Sequence, residues 1–328
     1  MHDRDFQKVY NQYKKEIGQR FRELTRRPEP ASVYDPIRYA LGTGGKRVRA
    51  VLVLLACEAV GGKRGRAVDA AVAIEMLHNF TLVHDDIMDN APLRRNRQSV
   101  HAKWDANVAI LAGDGMISLA YRSLLGTRAK KLREVLGAFT SAFIEVCEGQ
   151  GFDKEFELRH DVRVADYLMM IGKKTAHIIA AATEIGALIG SGTRRQVYAL
   201  RTYGKHLGIA FQIKDDLLDI AGDAEELGKK IGGDITAGKK TFLLLNGLER
   251  TRGKERVFLR SLMAGSGGDR TDVERARNIY EHTGTLEAAG KAIERSTRAA
   301  QQALSSLRPS RAREMLIWLS DQLLERSH

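Results

Sequence analysis

Between Pro92 and Pro309 the chain contains no proline. Proline removes a backbone donor and clashes with the preceding turn, so that whole interval is open to helix. It is also rich in Ala, Leu, Arg, Lys and Glu, residues that enter helices at little cost. No alternating β-branched run bounded by turn dipeptides occurs, which argues against a sheet. The expected fold class is therefore all-α, with 43% apolar residues for the core and 29% charged residues for the surface. A length of 328 residues could accommodate two domains, but a single helical domain over 1–328 is the expectation.

Turn residues divide the chain into helices expected at 5–25, 33–40, 46–60, 66–89, 105–125, 128–149, 164–190, 193–220, 239–249 and 254–263. Shorter helices should run from 271 to the end, after the connector Gly265-Ser266-Gly267-Gly268. The segment 66–89 carries too many apolar residues for a surface helix and is expected at the centre. Cys57 and Cys147 read as small core hydrophobes, not as a disulfide framework. The first residues are charged, and no window approaches eighteen consecutive apolar residues. Neither a signal peptide nor a spanning helix is expected, and the expected location is cytoplasmic. A net charge of +12 points to anionic partners. No helix-turn-helix, zinc-finger or RNA-binding signature accompanies it, so phosphorylated substrates are favoured over nucleic acid.

Two acidic sets of identical spacing interrupt apolar stretches: Asp85-Asp86-Ile87-Met88-Asp89 and Asp215-Asp216-Leu217-Leu218-Asp219. On a helix the first and last aspartates of each set share a face. Two like charges roughly 5 Å apart cost about 3 kcal/mol at an effective dielectric of about 20. A solvated acidic face would explain one such set. Two sets in apolar flanks point to a cation that collects carboxylates. All-oxygen ligands suit Mg²⁺, which keeps waters and bridges to phosphates.

Basic residues accompany both sets. Gly44-Gly45-Lys46-Arg47-Val48-Arg49 places a glycine turn before a helix start, with Lys46 and Arg49 expected on one face as an anion cradle. A plain basic helix cap explains that stretch equally well. Arg94-Arg95 follow Asp89 closely, and either a salt bridge or a phosphate grip accounts for them. His78 lies two helical turns before Asp85; alone, such a histidine is more often structural. Lys173-Lys174-Thr175, Phe211-Gln212, Gly228-Lys229 and Gly238-Lys239-Lys240-Thr241 add further polar and cationic groups.

In their order, GGKRVR, HNFTLVHDDIMDNAPLRR, ILAGD, GQGFDKEF, GKKTA, FQIKDDLLDIAGD and GKKT resemble the trans-isoprenyl diphosphate synthase (polyprenyl synthetase) family, from about Tyr34 to Leu248. The resemblance is to archaeal-type short-chain geranylgeranyl diphosphate synthases in particular. It implies a helical bundle around a central active-site cavity, and condensation of isopentenyl diphosphate with dimethylallyl, geranyl or farnesyl diphosphate. Lys46, Arg49, His78 and Arg95 would bind isopentenyl diphosphate. Arg94, Lys174, Thr175, Gln212, Lys229 and Lys239 would contact the allylic diphosphate. Asp85, Asp89 and Asp215 would ligate Mg²⁺, more than one ion per site, with Asp86, Asp216 and Asp219 in support. A homodimer is implied as well. Asn96 stands where the family usually has Gly, Gln98 and Ala50 where it often has Pro, which puts local loop geometry in question. The tail, Glu325-Arg326-Ser327-His328, lacks the basic ending of some members.

Chain length is expected to depend on Phe80, five residues and about 7.5 Å along the helix before Asp85. Thr81 is small, and Leu77 could narrow the channel further. An aromatic at this offset resembles enzymes making the C20 product, with farnesyl diphosphate as the alternative. A class I terpene cyclase would not need the second-substrate cradle, and an inactive partner subunit should have lost aspartates or basic ligands.

Overall fold

The computed structural model describes residues 2–221, 232–263 and 268–324. Helices α1 (His2–Leu24), α2 (Ala31–Gly42), α3 (Val48–Ala59) and α4 (Val68–Met88) come first. A two-residue hairpin, β1 (Leu93–Arg94) and β2 (Arg97–Gln98), then precedes α5 (Val100–Lys103), α6 (Ala106–Leu125) and α7 (Leu132–Leu158). Next are α8 (Val164–Ile171), a π-helical turn (Gly172–Ala176), α9 (His177–Ile189) and α10 (Arg194–Ala221). Last come α11 (Gly233–Thr236), α12 (Phe242–Arg250), α13 (Gly253–Met263), α14 (Arg270–His282), α15 (Thr285–Ala303) and α16 (Arg311–Leu324). The all-α expectation holds.

Local chemistry sets these boundaries. Asp105 caps α6 by accepting from Val108 N at 2.8 Å, Thr241 caps α12 at Leu244 N, and Asp269 forms a capping box at α14. Three details depart from the sequence reading. The helix expected to stop at 149 continues to Leu158, because Gly149 and Gly151 sit inside it and do not end it. The helix expected over 164–190 is broken by the π-turn. Cys57 is buried as expected, but Cys147 is exposed on α7.

The chain divides into two compact units: Met1–Phe143 with Ile178–Gly204 and Ala303–Trp318, and Ile144–His177 with Lys205–Gln302 and Leu319–His328. In the first unit, α4 packs against α3 and α6. Leu52, Leu54, Leu55, Ile74, Met76 and Leu77 are fully buried there, each contributing about 1.5–3 kcal/mol of transfer free energy. This is the central helix the composition of 66–89 demanded. Tyr203, wholly buried, donates to Leu316 O at 2.7 Å. By length and composition α6 is apolar enough to cross a membrane. Its Ala109, Ala112, Met116 and Leu124 are nevertheless buried, while Ile110, Leu111 and Leu125 are exposed.

The second unit is built on Tyr167, Ile213, Phe242, Leu259 and Tyr280. Buried Lys240 donates to Glu157 O (3.0 Å) and Met263 O (3.4 Å), at the C-terminal ends of α7 and α13. A cation there satisfies carbonyls that the helices leave unpaired.

Candidate active site

In the first unit the leading acidic set occupies the last turn of α4. Asp86 is buried and receives Arg94 Nε at 2.9 Å, with Nη2 on the same oxygen. Burial raises the Asp86 pKa, and the Arg94 guanidinium opposes that. Asp85 is half-buried, while Asp89 is exposed at the helix end. Asn90 turns into the left-handed region (φ 47), and Ala91 N donates back to Asp86 O at 2.9 Å. The chain then enters the hairpin, with Arg94 paired to Arg97. Its two turn residues, Arg95 (φ 53) and Asn96 (φ 59), both have positive φ, as a type I′ turn requires. Asn tolerates that region, so the Gly-to-Asn departure at Asn96 is accommodated.

The glycine turn lies in the same unit. Gly44 (φ 80), Gly45 (φ 116) and Arg47 (φ 56) curl the chain so that α3 begins only at Val48. Lys46 therefore precedes the helix, and its expected shared helical face with Arg49 does not exist. Arg49 Nη1 lies 3.0 Å from His78 Nε2. Burial pushes the Arg49 pKa down to about 10; the Glu75 carboxylate opposes this and Arg95 adds to it. Burial, reinforced by Arg49 and Arg95, also drives His78 well below the usual imidazole range. His78 is thus neutral and accepts at Nε2. Arg95 Nη1 donates to Gly44 O at 2.6 Å. Buried Glu75 accepts from Ala50 N at 3.3 Å and lies 3.5 Å from Arg47 Nη1. Three guanidiniums, from Arg47, Arg49 and Arg95, share this one buried carboxylate. The sequence reading passed over Glu75, whose signal is a lone carboxylate inside the apolar run of α4.

The second acidic set ends α10 in the second unit. Asp215 is exposed, Asp219 half-buried and Asp216 buried. Asp216 accepts from Tyr167 OH (2.5 Å), Gln212 Nε2 (3.1 Å) and Phe242 N (3.2 Å). Burial, with Asp234 nearby, raises its pKa to about 7, and burial raises Tyr167 well above the phenol range. Asp219 accepts from Asp234 N at 3.0 Å. Thr175 donates to Gln212 Oε1 at 2.9 Å, so Thr175, Gln212 and Asp216 form one chain of hydrogen bonds. Lys174 Nζ contacts Asp153 Oδ2 at 2.6 Å.

Lys174 and Thr175 stand on the π-turn, a feature common at functional sites. Glycines on two helices admit its backbone: a Cβ at Gly149 would fall 2.3 Å from Lys174 N, and one at Gly208 2.5 Å from Ala176 Cα. Lys239 lies 3.8 Å from Asp234. Lys229 falls outside the described residues, as do the 265–267 connector and the 325–328 tail. Asp153, Tyr167 and Asp234 were not singled out from sequence. Asp153 stood inside the quoted GQGFDKEF motif, but spacing alone gave it no partner.

Phe80 is buried between two rings, 4.4 Å from His84 and 5.4 Å from Phe143 by centroid. Leu77 is fully buried, and Thr81 donates to His78 O at 2.8 Å. The described residues contain no cage of three or more His, Cys, Asp or Glu side chains. The donors are instead carboxylates on helix ends, with Asp89 and Asp215 exposed. Such a set fits Mg²⁺, which binds through one or two carboxylates together with phosphate oxygens and water.

Residues 30–282 match the polyprenyl synthetase family. A short chain isoprenyl diphosphate synthase from Methanothermobacter thermautotrophicus is 40% identical, covering 98% of each chain. A geranylfarnesyl diphosphate synthase from Natronomonas pharaonis is 36% identical, covering 92% of each. The crystal structure of geranylgeranyl pyrophosphate synthetase from Pyrococcus horikoshii superimposes with a TM-score of 0.95 at 35% identity, covering both chains fully. With both aspartate sets at the ends of helices and the basic turn ahead of α3, the chain belongs to the polyprenyl synthetase family and is a trans-prenyltransferase of the short-chain isoprenyl diphosphate synthase type.

Proposed function

We propose that the protein condenses isopentenyl diphosphate with allylic diphosphates, in the presence of Mg²⁺, to give geranylgeranyl diphosphate. The observation that carries this reading is the gathering of cations in the same unit as the first acidic set. Half-buried Arg47 and Arg49 and exposed Arg95 all feel the charge of one buried carboxylate, Glu75, beside a neutral imidazole. Buried charge of one sign is unfavourable unless an anion completes it. A diphosphate does so, with bidentate contacts suited to guanidinium.

In this reading Lys46, Arg49 and Arg95 hold isopentenyl diphosphate, with His78 keeping Arg49 in place. Arg94, Lys174, Thr175, Gln212, Lys229 and Lys239 bind the allylic diphosphate. Asp85, Asp89 and Asp215 hold Mg²⁺, supported by Asp86, Asp216 and Asp219. Asp216 and Gln212 together fix Thr175 through the hydrogen-bond chain. When bound, Mg²⁺ supplies charge neutralisation on the departing diphosphate. The allylic C–O bond breaks, and the double bond of isopentenyl diphosphate attacks the resulting cation. Fixed orientation contributes several kcal/mol to such a step. No side-chain base stands out in the sequence, so the departing diphosphate takes the proton. The whole chain acts as one catalytic domain, and it works as a homodimer. Support for the dimer is the exposed apolar side of α6 at Ile110, Leu111 and Leu125.

Phe80, held by His84 and Phe143, forms the floor that stops growth at twenty carbons. Farnesyl diphosphate is the shorter alternative, and the geranylfarnesyl relative marks the longer one. The test is consumption of an allylic diphosphate with and without isopentenyl diphosphate, each with Mg²⁺ or excess chelator. Turnover should require both partners. Turnover of the allylic diphosphate alone into a hydrocarbon would point to a terpene cyclase, and full activity in chelator would exclude the metal.

A further inference from the structure

A cavity of about 570 Å³ lies in the first unit between the second half of α1, α2 and the glycine turn. Its size is that of a small-molecule pocket. Phe21, Arg22, Arg26, Arg38, Leu41 and Arg47 line it, and no acidic side chain does. A structural explanation would have these arginines satisfy the carbonyls at the end of α1. Arg38 does so, donating to Thr25 O and Arg27 O at 2.8 Å each while paired with Asp35. Arg122, outside the cavity, takes Leu24 O at 3.2 Å. The side chains of Arg22, in the last turn of α1, and Arg26, just beyond it, make no hydrogen bond or ion pair among the described residues, so carbonyl capping does not account for them.

Arg47 is the third unusual cation. Its side chain is only 10% exposed, its guanidinium lies 5.1 Å over Phe21, and Nη2 donates to Leu41 O. Its buried Nη1 makes no hydrogen bond, its nearest countercharge being Glu75 Oε1 at 3.5 Å. Arg47 lies two residues from Arg49, and Glu75 acts on both.

We propose that this cavity is a second anion site that takes a diphosphate group, and that Arg47 relays its occupancy to the Arg49–His78 pair. Arg22 at the end of α1 and Arg26 just beyond it supply forked donors, and Arg47 supplies a buried one from the turn. Phe21 and Leu41 give the cavity an apolar wall beside the charged one. Drawing Arg47 toward a bound anion weakens its hold on Glu75, which then pulls more strongly on Arg49. Diphosphate binding here does not require the prenyl-transfer reading; only its effect on the isopentenyl diphosphate cradle does.

The direct test is calorimetric titration of inorganic diphosphate into the whole protein in EDTA, which removes metal-dependent binding. The wild type should show two sites. Arg22→Ala/Arg26→Ala should weaken one at least tenfold, and Arg49→Ala the other. Arg22 and Arg26 are both exposed, so the double variant should melt like the wild type. An isotherm unchanged in the double variant overturns the site. Geranyl diphosphate run in parallel separates the sources: tighter binding that depends on Arg22 and Arg26 assigns the site to prenyl diphosphates, and equal binding assigns it to free diphosphate. For the relay, added diphosphate at saturating allylic substrate should raise KM for isopentenyl diphosphate in the wild type. That rise should shrink in the double variant to what direct competition at the Arg49 cradle leaves. An equal rise in both proteins contradicts the relay.

Discussion

A guanidinium that already serves a carboxylate has less to give a phosphate, and Arg94 is in that position. It holds buried Asp86, whereas the neighbouring Arg95 reaches the glycine turn. The turn thus separates the two adjacent side chains. Arg94→Ala should raise KM for the allylic substrate and Arg95→Ala that for isopentenyl diphosphate, as steady-state kinetics will show. Arg94→Ala should also lower stability, because it strands Asp86. Arg94 is about a third exposed (32%), so the loss should be on the order of 2 kcal/mol, less than for a fully buried pair. The aspartates act differently. Asp85→Ala, Asp89→Ala and Asp215→Ala should each lower kcat on the order of a hundredfold or more with the helical circular dichroism intact. His78 adds a pH dependence. Its folded-state pKa is depressed, so below about 6.5 the unfolded chain binds a proton that the folded chain refuses. Stability should therefore fall as pH drops below that value, and His78→Gln should remove this part of the slope in urea titrations.

At the scale of elements, the proposed function places substrate contacts on the π-turn and chain-length control on the C-terminal half of α4. The π-turn exists because α7 and α10 present glycines where a methyl group would strike its backbone. Gly149→Ala should cost about 1–3 kcal/mol and reduce activity through displaced Lys174 and Thr175, whereas the open position Gly151→Ala should do neither. On α4, Phe80 is clamped by His84 and Phe143. Phe80→Ala should cost about 3–5 kcal/mol and let the product lengthen in five-carbon steps. An unchanged product distribution in that variant would move the floor elsewhere. These elements also show what sequence could and could not reveal. Central α4 was legible because its apolar residues exceed one face. The π-turn was not, since its cause is a close approach from helices far away in sequence. Pairings such as Asp153 with Lys174 and Tyr167 with Asp216 were hidden for the same reason.

At the scale of the whole molecule, the all-α architecture followed from helix-forming composition without proline, and the relatives of known fold share it. The acidic and basic motifs were legible because like charges are not repeated in apolar helices without a ligand to balance them. The start of α3 was not, because a left-handed Arg47 moved it two residues and took Lys46 off the helix. In the proposed reading, Phe80 on α4 sets how far the product grows. The deciding measurement is chromatography of dephosphorylated products from the wild-type protein given isopentenyl diphosphate, Mg²⁺ and a dimethylallyl, geranyl or farnesyl primer. All three primers should converge on the twenty-carbon alcohol. A distribution ending at fifteen carbons, or running past twenty, would contradict Phe80 as the floor of a geranylgeranyl diphosphate synthase.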